Sequence, residues 1–455
     1  MTLNKLFIKA QQKKKNIEDE IILDPQQKEA VLTASNKVLV VAGAGSGKTR
    51  ILTERIKHLL NKGVKPSSIV AITFTNMASE EMKTRLQNVP QIGDVFIGTI
   101  HSFANKVMKN TDENYTIYSS EIEQGFYKEL IDKYCKFLTF EKYLKYAELV
   151  NAYQEGLVSS VQVQNFLSVT EKAEFCLITG LDSPNVDSIK EEDYKENLDD
   201  LKAKYNVITF DQLLTMATNY FKNLNTEMEH LLVDEFQDIG TLESRFFKSL
   251  APKNYFYVGD DFQSIYGFKG GNVNIMKALS KNKSFNVIKV SNNYRNAPKI
   301  LEIAEIVKNQ IDDRIEKEVI PISTKEGGVY IDNKNKIGSI LDMIKDEESE
   351  HLNEWFILVR TNKQLTEVQN MLDDRRIRNH TFRREGMSLA TLNKIMQFNS
   401  VKVLTVHTAK GLENKNVILY GNFPLEEPKY RRNNEERKVM YVGVTRAEEN
   451  LIILN

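Results

Sequence analysis

The chain has 455 residues, of which 41% are hydrophobic and 27% are charged. The composition is that of a globular protein, and the length predicts two to four domains. No apolar run approaches the roughly 20 residues needed to span a bilayer, and the N-terminal "MTLNKLFIKAQQKKKN" lacks the features of a secretory signal, so we expect a cytoplasmic protein without a membrane partner. The 62 basic residues balance the 62 acidic ones, so a surface that binds nucleic acid would have to be a local cluster of basic residues. Two cysteines, Cys135 and Cys176, fit a reduced compartment and exclude a multi-cysteine metal site.

Short apolar strands alternate with helical segments in two parts of the chain, which predicts parallel sheets. The first set contains "KVLVVAG", "SIVAITF", "DVFIGTI", "HLLVDEF" and "NYFYVGD", and the second contains "FNVIKV", "EWFILVR", "VKVLTVH" and "NVILYG". Long stretches rich in Glu, Lys, Tyr and Leu separate the third strand from the fourth and predict a helical insert. We therefore predict an α/β protein with these parts: an N-terminal extension (1–20), a first sheet domain (21–106 and 207–283), a helical insert (107–206) and a second sheet domain (284–455).

The stretch "VVAGAGSGKTR" (40–50) predicts a strand, a glycine-rich turn and the start of a helix. Glycines let backbone N–H groups point at phosphate oxygens at a helix N-terminus. Lys48 would reach the β- and γ-phosphates, and the Thr49 hydroxyl would ligate Mg²⁺. The first position of the GxxxxGKT pattern is Ala42, which departs slightly from it.

The stretch "LLVDEFQD" (231–238) predicts a buried strand that ends in two carboxylates beside this turn. Asp234 is the expected Mg²⁺ partner, and Glu235 is the candidate general base for an attacking water. Phosphoryl transfer also needs positive charge opposite the γ-phosphate, for which Arg295 and Arg446 in the second set are candidates.

With these motifs in order, the chain resembles the UvrD/PcrA/Rep-type superfamily 1A DNA helicases. The resemblance runs from residue 23 to residue 451 and implies two RecA-like P-loop domains. The matching segments are "LDPQQKEAV", "AGAGSGKTR", "AITFTNMASEEMKTRL", "GTIHSFANKVM", "VDEFQD", "VGDDFQSIYGFKGGN", "NNYRN", "VLTVHTAKGLEN" and "EERKVMYVGVTRAEENL".

The resemblance assigns roles to residues around ATP. Gln27 would contact adenine, Tyr294 would stack on it, and Arg50 would lie near it. Arg295 and Arg446 would act as arginine fingers. Gln263 would sense the γ-phosphate and Glu413 would help to close the nucleotide cleft. The implied ATP-binding turn consists of Ala44, Gly45, Ser46, Gly47, Lys48 and Thr49.

The resemblance also implies a path for single-stranded DNA, which proteins grip through stacked aromatic rings and backbone contacts. The implied DNA-binding residues are Phe74, Thr99, His101, Tyr266, Phe268, Lys269 and His407. Phe268 stands where the family usually has Trp, and Lys269 where it has Arg. A Phe ring still stacks with less area, and Lys still meets phosphate without the planar fork of Arg.

Two further departures predict a compact version of the family. The large second insert is essentially missing before "VKVLTVH", and the chain ends just after the final motif. The resemblance implies an ATP- and Mg²⁺-dependent enzyme that moves 3′→5′ on single-stranded DNA and separates strands at single-strand/duplex junctions, with a possible replication or repair partner. The alternatives are a translocase that unwinds only with a partner protein, and a nucleotide-switched DNA-binding module. An RNA substrate also stays open.

Overall fold

The computed structural model describes the residue ranges 23–111, 114–118, 122, 200–223, 228–267, 270–332, 337–347, 350–382, 389–421, 423–426 and 433–455. The N-terminal extension, most of the predicted helical insert with both cysteines, and the predicted DNA contacts Phe268 and Lys269 lie outside these ranges. Within them, no helix is both long enough and apolar enough to cross a membrane.

Six parallel strands form the first sheet, in the order β3-β2-β6-β7-β1-β8. Its strands are β1 (Lys37–Ala42), β2 (Ile69–Thr73), β3 (Phe96–Thr99), β6 (His230–Val233), β7 (Asn254–Gly259) and β8 (Asn286–Val290). A separate two-stranded sheet pairs β4 (Thr116–Ile117) with β5 (Val207–Ile208).

Strand β8 belongs to a different sheet from the one that the sequence predicted. The sequence predicts that "FNVIKV" belongs to the second set of strands. Instead β8 pairs with β1, with Val38 opposite Asn286 and Ala42 opposite Val290. Strand periodicity reports which faces are buried but carries no information on the pairing partner, so this assignment was wrong.

Within the described ranges, seven helices flank the first sheet, and capping residues in the sequence explain where several of them begin. They are α1 (Pro25–Leu32), α2 (Lys48–Asn61), α3 (Asn76–Leu86), α4 (Ile100–Met108), α5 (Phe210–Asn223), α6 (Thr241–Ser249) and α7 (Val273–Ser280). Asp24 and Gln27 form a reciprocal capping box at the start of α1. The hydroxyls of Thr75 and Thr99 cap α3 and α4.

Hydrophobic cores cover both faces of the first sheet because side chains alternate along each strand. In β1, Leu39 and Val41 belong to one cluster, whereas Val38 and Val40 belong to the other. All four are fully buried. Burial on both faces explains why these strands read as continuous apolar runs.

The second sheet also has six parallel strands, in the order β11-β16-β15-β12-β14-β13. Its strands are β11 (Val329–Asp332), β12 (Trp355–Val359), β13 (Asn379–Thr381), β14 (Val401–Thr405), β15 (Asn414–Tyr420) and β16 (Ala447–Leu454). A short pair, β9 (Asn292–Asn293) and β10 (Ile320–Pro321), precedes it. The associated helices are α8 (Pro298–Lys308), α9 (Ile337–Glu347), α10 (Asn362–Asp374), α11 (Leu389–Gln397), α12 (Val406–Ala409) and α13 (Asn434–Val444).

A short segment, residues 382–400, joins β13 to β14, where the resembled family carries its large second insert. The described part of this segment contains α11. The first N–H group of α11, at Leu389, donates to Glu80 Oε2 of α3 at 2.9 Å. A helix N-terminus favours a carboxylate, so this contact links the second sheet domain to a helix of the first.

Candidate active site between the two sheets

The glycine-rich turn between β1 and α2 has the backbone of a phosphate-binding loop. Gly45 and Gly47 have φ values of +66° and +82°, a region that other residues rarely adopt. A Cβ atom at Gly45 would lie 2.8 Å from Arg295 Cβ and 2.8 Å from Asn293 Nδ2. Only glycine therefore lets the second-domain segment approach this turn. Helix α2 begins at Lys48, immediately after the turn.

A cavity of about 400 Å³ opens at this turn, within the usual size range of small-ligand sites. Both sheet domains contribute its walls. Twelve of the predicted site residues line it: Gly45, Ser46, Gly47, Lys48, Thr49, Arg50, Glu235, Gln263, Tyr294, Arg295, Glu413 and Arg446. Three predicted residues, Gln27, Ala44 and Asp234, are buried and do not line it. The structure also adds residues that the sequence did not predict: Gly43, Glu81, Arg85, Lys325, Gly411 and Glu448.

Two carboxylates stand at the end of β6. Glu235 has a left-handed backbone with φ of 49°, and its N–H donates to Asp234 Oδ1 at 2.9 Å. Burial and the neighbouring Glu235 raise the pKa of Asp234 to about 7. Burial also tends to raise the pKa of Glu235, but the ammonium groups of Lys48 and Lys410 outweigh it and hold that pKa below its ordinary value. Glu235 is therefore ionised at neutral pH and can accept a proton.

The expected magnesium ligands are compatible with that ion. Thr49 offers a hydroxyl and Asp234 a carboxylate, and Mg²⁺ binds through one or two such protein oxygens together with phosphate and water. Burial and the adjacent Glu235 carboxylate raise the pKa of Asp234 despite the charge of Lys48, and a divalent cation at this carboxylate would favour its ionised form. Among the described residues there is no group of three or more His, Cys, Asp or Glu side chains that could hold a metal ion, so a site here would depend on the nucleotide.

A chain of hydrogen bonds connects Gln263 to Glu235. Gln263 Nε2 donates to Asp260 Oδ2 at 2.6 Å, and the N–H of Asp260 donates to Gln237 Oε1 at 2.9 Å. Gln237 Nε2 in turn donates to Glu235 Oε2. The candidate phosphate sensor and the candidate base thus belong to one network.

The two predicted arginine fingers reach the cavity from the second sheet domain. Arg295 pairs with Glu413. Arg446 is 1% exposed, and its guanidinium donates to the carbonyls of Val442 and Leu412, each at 3.0 Å. Burial, with the nearby Arg295, lowers the pKa of Arg446 to about 9, which still leaves it charged at neutral pH. In this structure both guanidinium groups therefore bind acceptors of their own domain.

The predicted adenine contacts occupy the edge of the phosphate turn. Tyr294 is 41% exposed, and its hydroxyl donates to Asp24 Oδ2 at 2.7 Å. Gln27 Nε2 donates to the carbonyl of Ser46 at 2.9 Å, and Gln27 Oε1 accepts from the N–H of Asp24 at 3.3 Å. The Gln27 side chain thus holds the phosphate turn through the Ser46 carbonyl. Sequence reasoning missed Asp24, whose position before Pro25 already indicated a helix cap.

Two predicted DNA-binding rings form a stack between the domains. Phe74 and Tyr266 lie 5.3 Å apart with their planes 13° from parallel, and Phe74 is 38% exposed. The Tyr266 hydroxyl donates to the carbonyl of His407 at 3.1 Å. Lys410 Nζ lies 4.7 Å from the Tyr266 ring centroid and donates to Asp238 and to the carbonyl of Gln263. This lysine, missed from the sequence, joins the stack to the nucleotide cavity.

Three further predicted DNA contacts, Thr99, His101 and His407, lie within the described residues and have neighbours there. The Thr99 hydroxyl accepts from the N–H of Ser102 at 3.2 Å, and the His101 ring lies 4.7 Å from the Phe210 ring. Burial lowers the pKa of His101, and burial with the charge of Arg360 lowers that of His407 to about 4. At neutral pH both rings are uncharged, so either ring would donate to a DNA phosphate as a neutral imidazole.

The fold and the cavity define the class of this protein. Two RecA-like parallel sheets that share one phosphate-binding cleft are the architecture of a two-domain P-loop nucleotide-binding protein.

The chain belongs to the UvrD/REP helicase family, which confirms the resemblance inferred from its motifs. Residues 23–284 match the UvrD/REP helicase N-terminal domain, and residues 379–455 match the UvrD-like helicase C-terminal domain.

Similar proteins include the "ATP-dependent DNA helicase PcrA" of Bacillus subtilis, which is 30% identical over 77% of this chain and 49% of its own length. The "ATP-dependent DNA helicase Rep" of Buchnera aphidicola is 29% identical over 64% of this chain and 45% of its own. The "Probable DNA helicase" of Mycoplasma pneumoniae is 28% identical over 94% of this chain and 83% of its own. The chain thus spans about half the length of the PcrA and Rep relatives, and about half that of the "DNA helicase II" of Rickettsia typhi.

Proposed function

We propose that the protein is an ATP-dependent DNA helicase or translocase that moves 3′→5′ on single-stranded DNA. The observation that carries the proposal is the shared cavity. Lys48, Glu235 and Gln263 reach it from the first sheet domain, and Arg295 and Arg446 reach it from the second. Relatives named as DNA helicases support the substrate, and the UvrD-like family supports the direction.

ATP would lie with its phosphates on the N–H groups of the turn and on Lys48. Tyr294 would stack on adenine, and Glu413 would help to close the cleft. Glu235 would take a proton from the water that attacks the γ-phosphorus, while the bond to the β–γ bridging oxygen breaks and ADP leaves. Mg²⁺ held by Thr49 and Asp234 would neutralise the developing phosphate charge.

Closure of the two domains would bring positive charge to the γ-phosphate. Arg295 and Arg446 bind acceptors of the second domain in this structure. A triphosphate in the cavity would compete for both guanidiniums and so draw the second domain toward the first. Loss of the γ-phosphate would remove that attraction, which makes opening a consequence of hydrolysis.

The stacked rings give the motion a grip on DNA. Phe74 belongs to the first domain, and the Tyr266 hydroxyl is bonded to His407 of the second. Bases would stack on these rings, each contributing about 1–3 kcal/mol. Because Lys410 contacts both the Tyr266 ring and the carbonyl of Gln263, a change at the γ-phosphate would alter the grip.

One observation favours the second candidate, a translocase that separates strands only with a partner protein. Between β13 and β14 the chain has only residues 382–400, which include the short helix α11. A switch without hydrolysis is less consistent with the site, because it has no need of a base and two arginines together.

ATP hydrolysis measured with and without single-stranded DNA tests the proposal. Lys48→Ala and Glu235→Gln should each lower DNA-stimulated turnover on the order of 100-fold or more, because removal of a general base alone costs about 10²–10⁴-fold. Lys57→Ala is the matched control, since Lys57 lies on the same helix and pairs with Glu54. Turnover retained in folded Glu235→Gln would exclude this residue as the base, and an unstimulated wild type would exclude the DNA-dependent motor.

A further inference from the structure

A buried lysine that the proposed mechanism does not use lies behind the phosphate sensor. Lys317 follows α8 and its side chain is completely buried. Its Nζ lies 2.8 Å from Asp260 Oδ1 and 2.5 Å from Asp261 Oδ1. Both carboxylates are themselves buried, at 0% and 1% exposure. Two buried carboxylates therefore share one ammonium group.

The carboxylates held by Lys317 also hold the sensor. Asp260 uses its second oxygen, Oδ2, to accept from Gln263 Nε2, and its first, Oδ1, to accept from the N–H of Phe262. These bonds fix the 3₁₀ turn Asp261–Gln263 that carries the sensor side chain. A shift of the Asp260 carboxylate would thus be transmitted directly to the Gln263 amide.

Lys317 also ties this turn to the second sheet domain. Its Nζ lies 3.8 Å from the centroid of the Phe262 ring, which packs against Tyr441 of α13 at 5.3 Å. The N–H of Ile315 donates to Asp261 Oδ2 at 2.8 Å. Phe262 and Tyr441 belong to the same hydrophobic cluster. On one side, the sensor turn is therefore connected by hydrogen bonds through Gln237 to Glu235. On the other side, it packs against α13, the helix that precedes Arg446.

Electrostatics make the lysine hard to replace. Burial tends to raise the pKa of Asp260, but the charges of Lys317 and Lys48 outweigh it and keep that pKa below its ordinary value. The two carboxylates in turn raise the pKa of Lys317 against the effect of its burial. Without the ammonium, two adjacent buried carboxylates would repel each other, and one would take up a proton or move toward water.

We propose that Lys317 is a positioning residue for ATP hydrolysis. It clamps Asp260 so that Gln263 faces the γ-phosphate, and it couples that orientation to the position of the second domain. The inference rests on the proposed function, since it assigns a role within the same ATPase site. It predicts an effect on turnover that is larger than any effect on ATP binding.

Steady-state ATPase kinetics of the full chain with single-stranded DNA test this role. Lys317→Met should lower kcat about 10-fold or more and change the KM for ATP by less than about 3-fold. Lys317→Arg keeps the charge and should recover at least about a third of kcat. Because Lys317 acts through Gln263, the double variant Gln263→Ala/Lys317→Met should have a kcat within about 2-fold of Gln263→Ala alone.

The matched control is Lys402→Met. Lys402 is also a fully buried lysine, but its Nζ donates to the carbonyls of Phe398 and Ser400, away from the sensor. This variant should lose thermal stability and keep kcat within about 3-fold of the wild type.

Each outcome decides between specific alternatives. An unchanged kcat in folded Lys317→Met, or an equal loss in Lys402→Met, overturns the positioning role while the wild-type ATPase still supports the proposed function. Multiplied losses in the double variant would show that Lys317 does not act through Gln263. If Lys317→Met does not fold, Lys317→Gln gives the same comparison. If neither folds, the lysine is a folding requirement and the proposal fails.

Discussion

Replacing Gly45 by alanine tests how closely the two domains meet at the phosphate turn. The added Cβ would lie 2.8 Å from Arg295 Cβ and 2.8 Å from Asn293 Nδ2, both closer than such atoms normally come. Neither neighbour can easily retreat. Asn293 Nδ2 is held by the carbonyl of Ala44 and by Asn296 Oδ1, each at 2.8 Å. The substitution should therefore force the second-domain segment away from the turn.

Two contributions set the magnitude. The left-handed backbone costs a residue with a Cβ about 1–2 kcal/mol. The collision adds about 1–3 kcal/mol, as in other overpacked sites. Gly63→Ala separates the two, because Gly63 has φ of +80° but no atom within 4 Å of an added Cβ. At about 2–4 °C per kcal/mol for a domain of this size, Gly45→Ala should melt about 2–12 °C below Gly63→Ala.

Thermal unfolding followed by circular dichroism measures this difference, with Gly43→Ala as a third variant. Gly43 lacks the left-handed φ, and its nearest neighbour would be Val319 Cγ2 at 3.9 Å, so its melting temperature should stay close to that of the wild type. DNA-stimulated ATP turnover should fall in Gly45→Ala and stay unchanged in Gly63→Ala, because only the change at Gly45 displaces Arg295. Equal melting temperatures for Gly45→Ala and Gly63→Ala would refute the close approach of the two domains.

Two further predictions concern Phe74 and His407, two residues of the predicted DNA path. Phe74→Ala should weaken binding of single-stranded DNA by about 1–3 kcal/mol in fluorescence anisotropy, because it removes a stacking ring. Tyr330→Ala, at an exposed ring on the edge strand β11, should leave the affinity unchanged, and an equal loss in both would contradict the assignment. Burial holds the pKa of His407 at about 4, so as the pH falls from about 6.5 the unfolded chain takes up the proton first. Stability should decline between about pH 6.5 and 4, and His407→Gln should reduce that decline in thermal unfolding.

Most of the fold follows from local sequence, because both sheets are parallel and buried on two faces. Such strands are continuous apolar runs, and Pro25, Thr75 and Thr99 mark helix starts with their usual residue types. Pairing partners do not follow from local sequence. Strand β8 joins the edge of the first sheet through backbone hydrogen bonds to β1, and no side-chain pattern specifies that choice.

The site was predictable where residue type is dictated by chemistry, as at Lys48 and Glu235. It was not predictable where distant segments meet. Lys317 and Lys410 contact the sensor turn from segments far along the chain, and a lone lysine in sequence indicates a solvated side chain. The bond from Gln27 to the Ser46 carbonyl was not predictable either, because it depends on how α1 packs against the turn.

Strand separation on tailed duplexes tests the central claim most directly. Purified wild-type protein with ATP and Mg²⁺ should unwind a duplex with a 3′ single-stranded tail and leave one with a 5′ tail intact, and Glu235→Gln should unwind neither. Translocation along single-stranded DNA without unwinding would favour the partner-dependent motor. Unwinding of the 5′-tailed duplex alone, or unwinding by Glu235→Gln at the wild-type rate, would contradict the account.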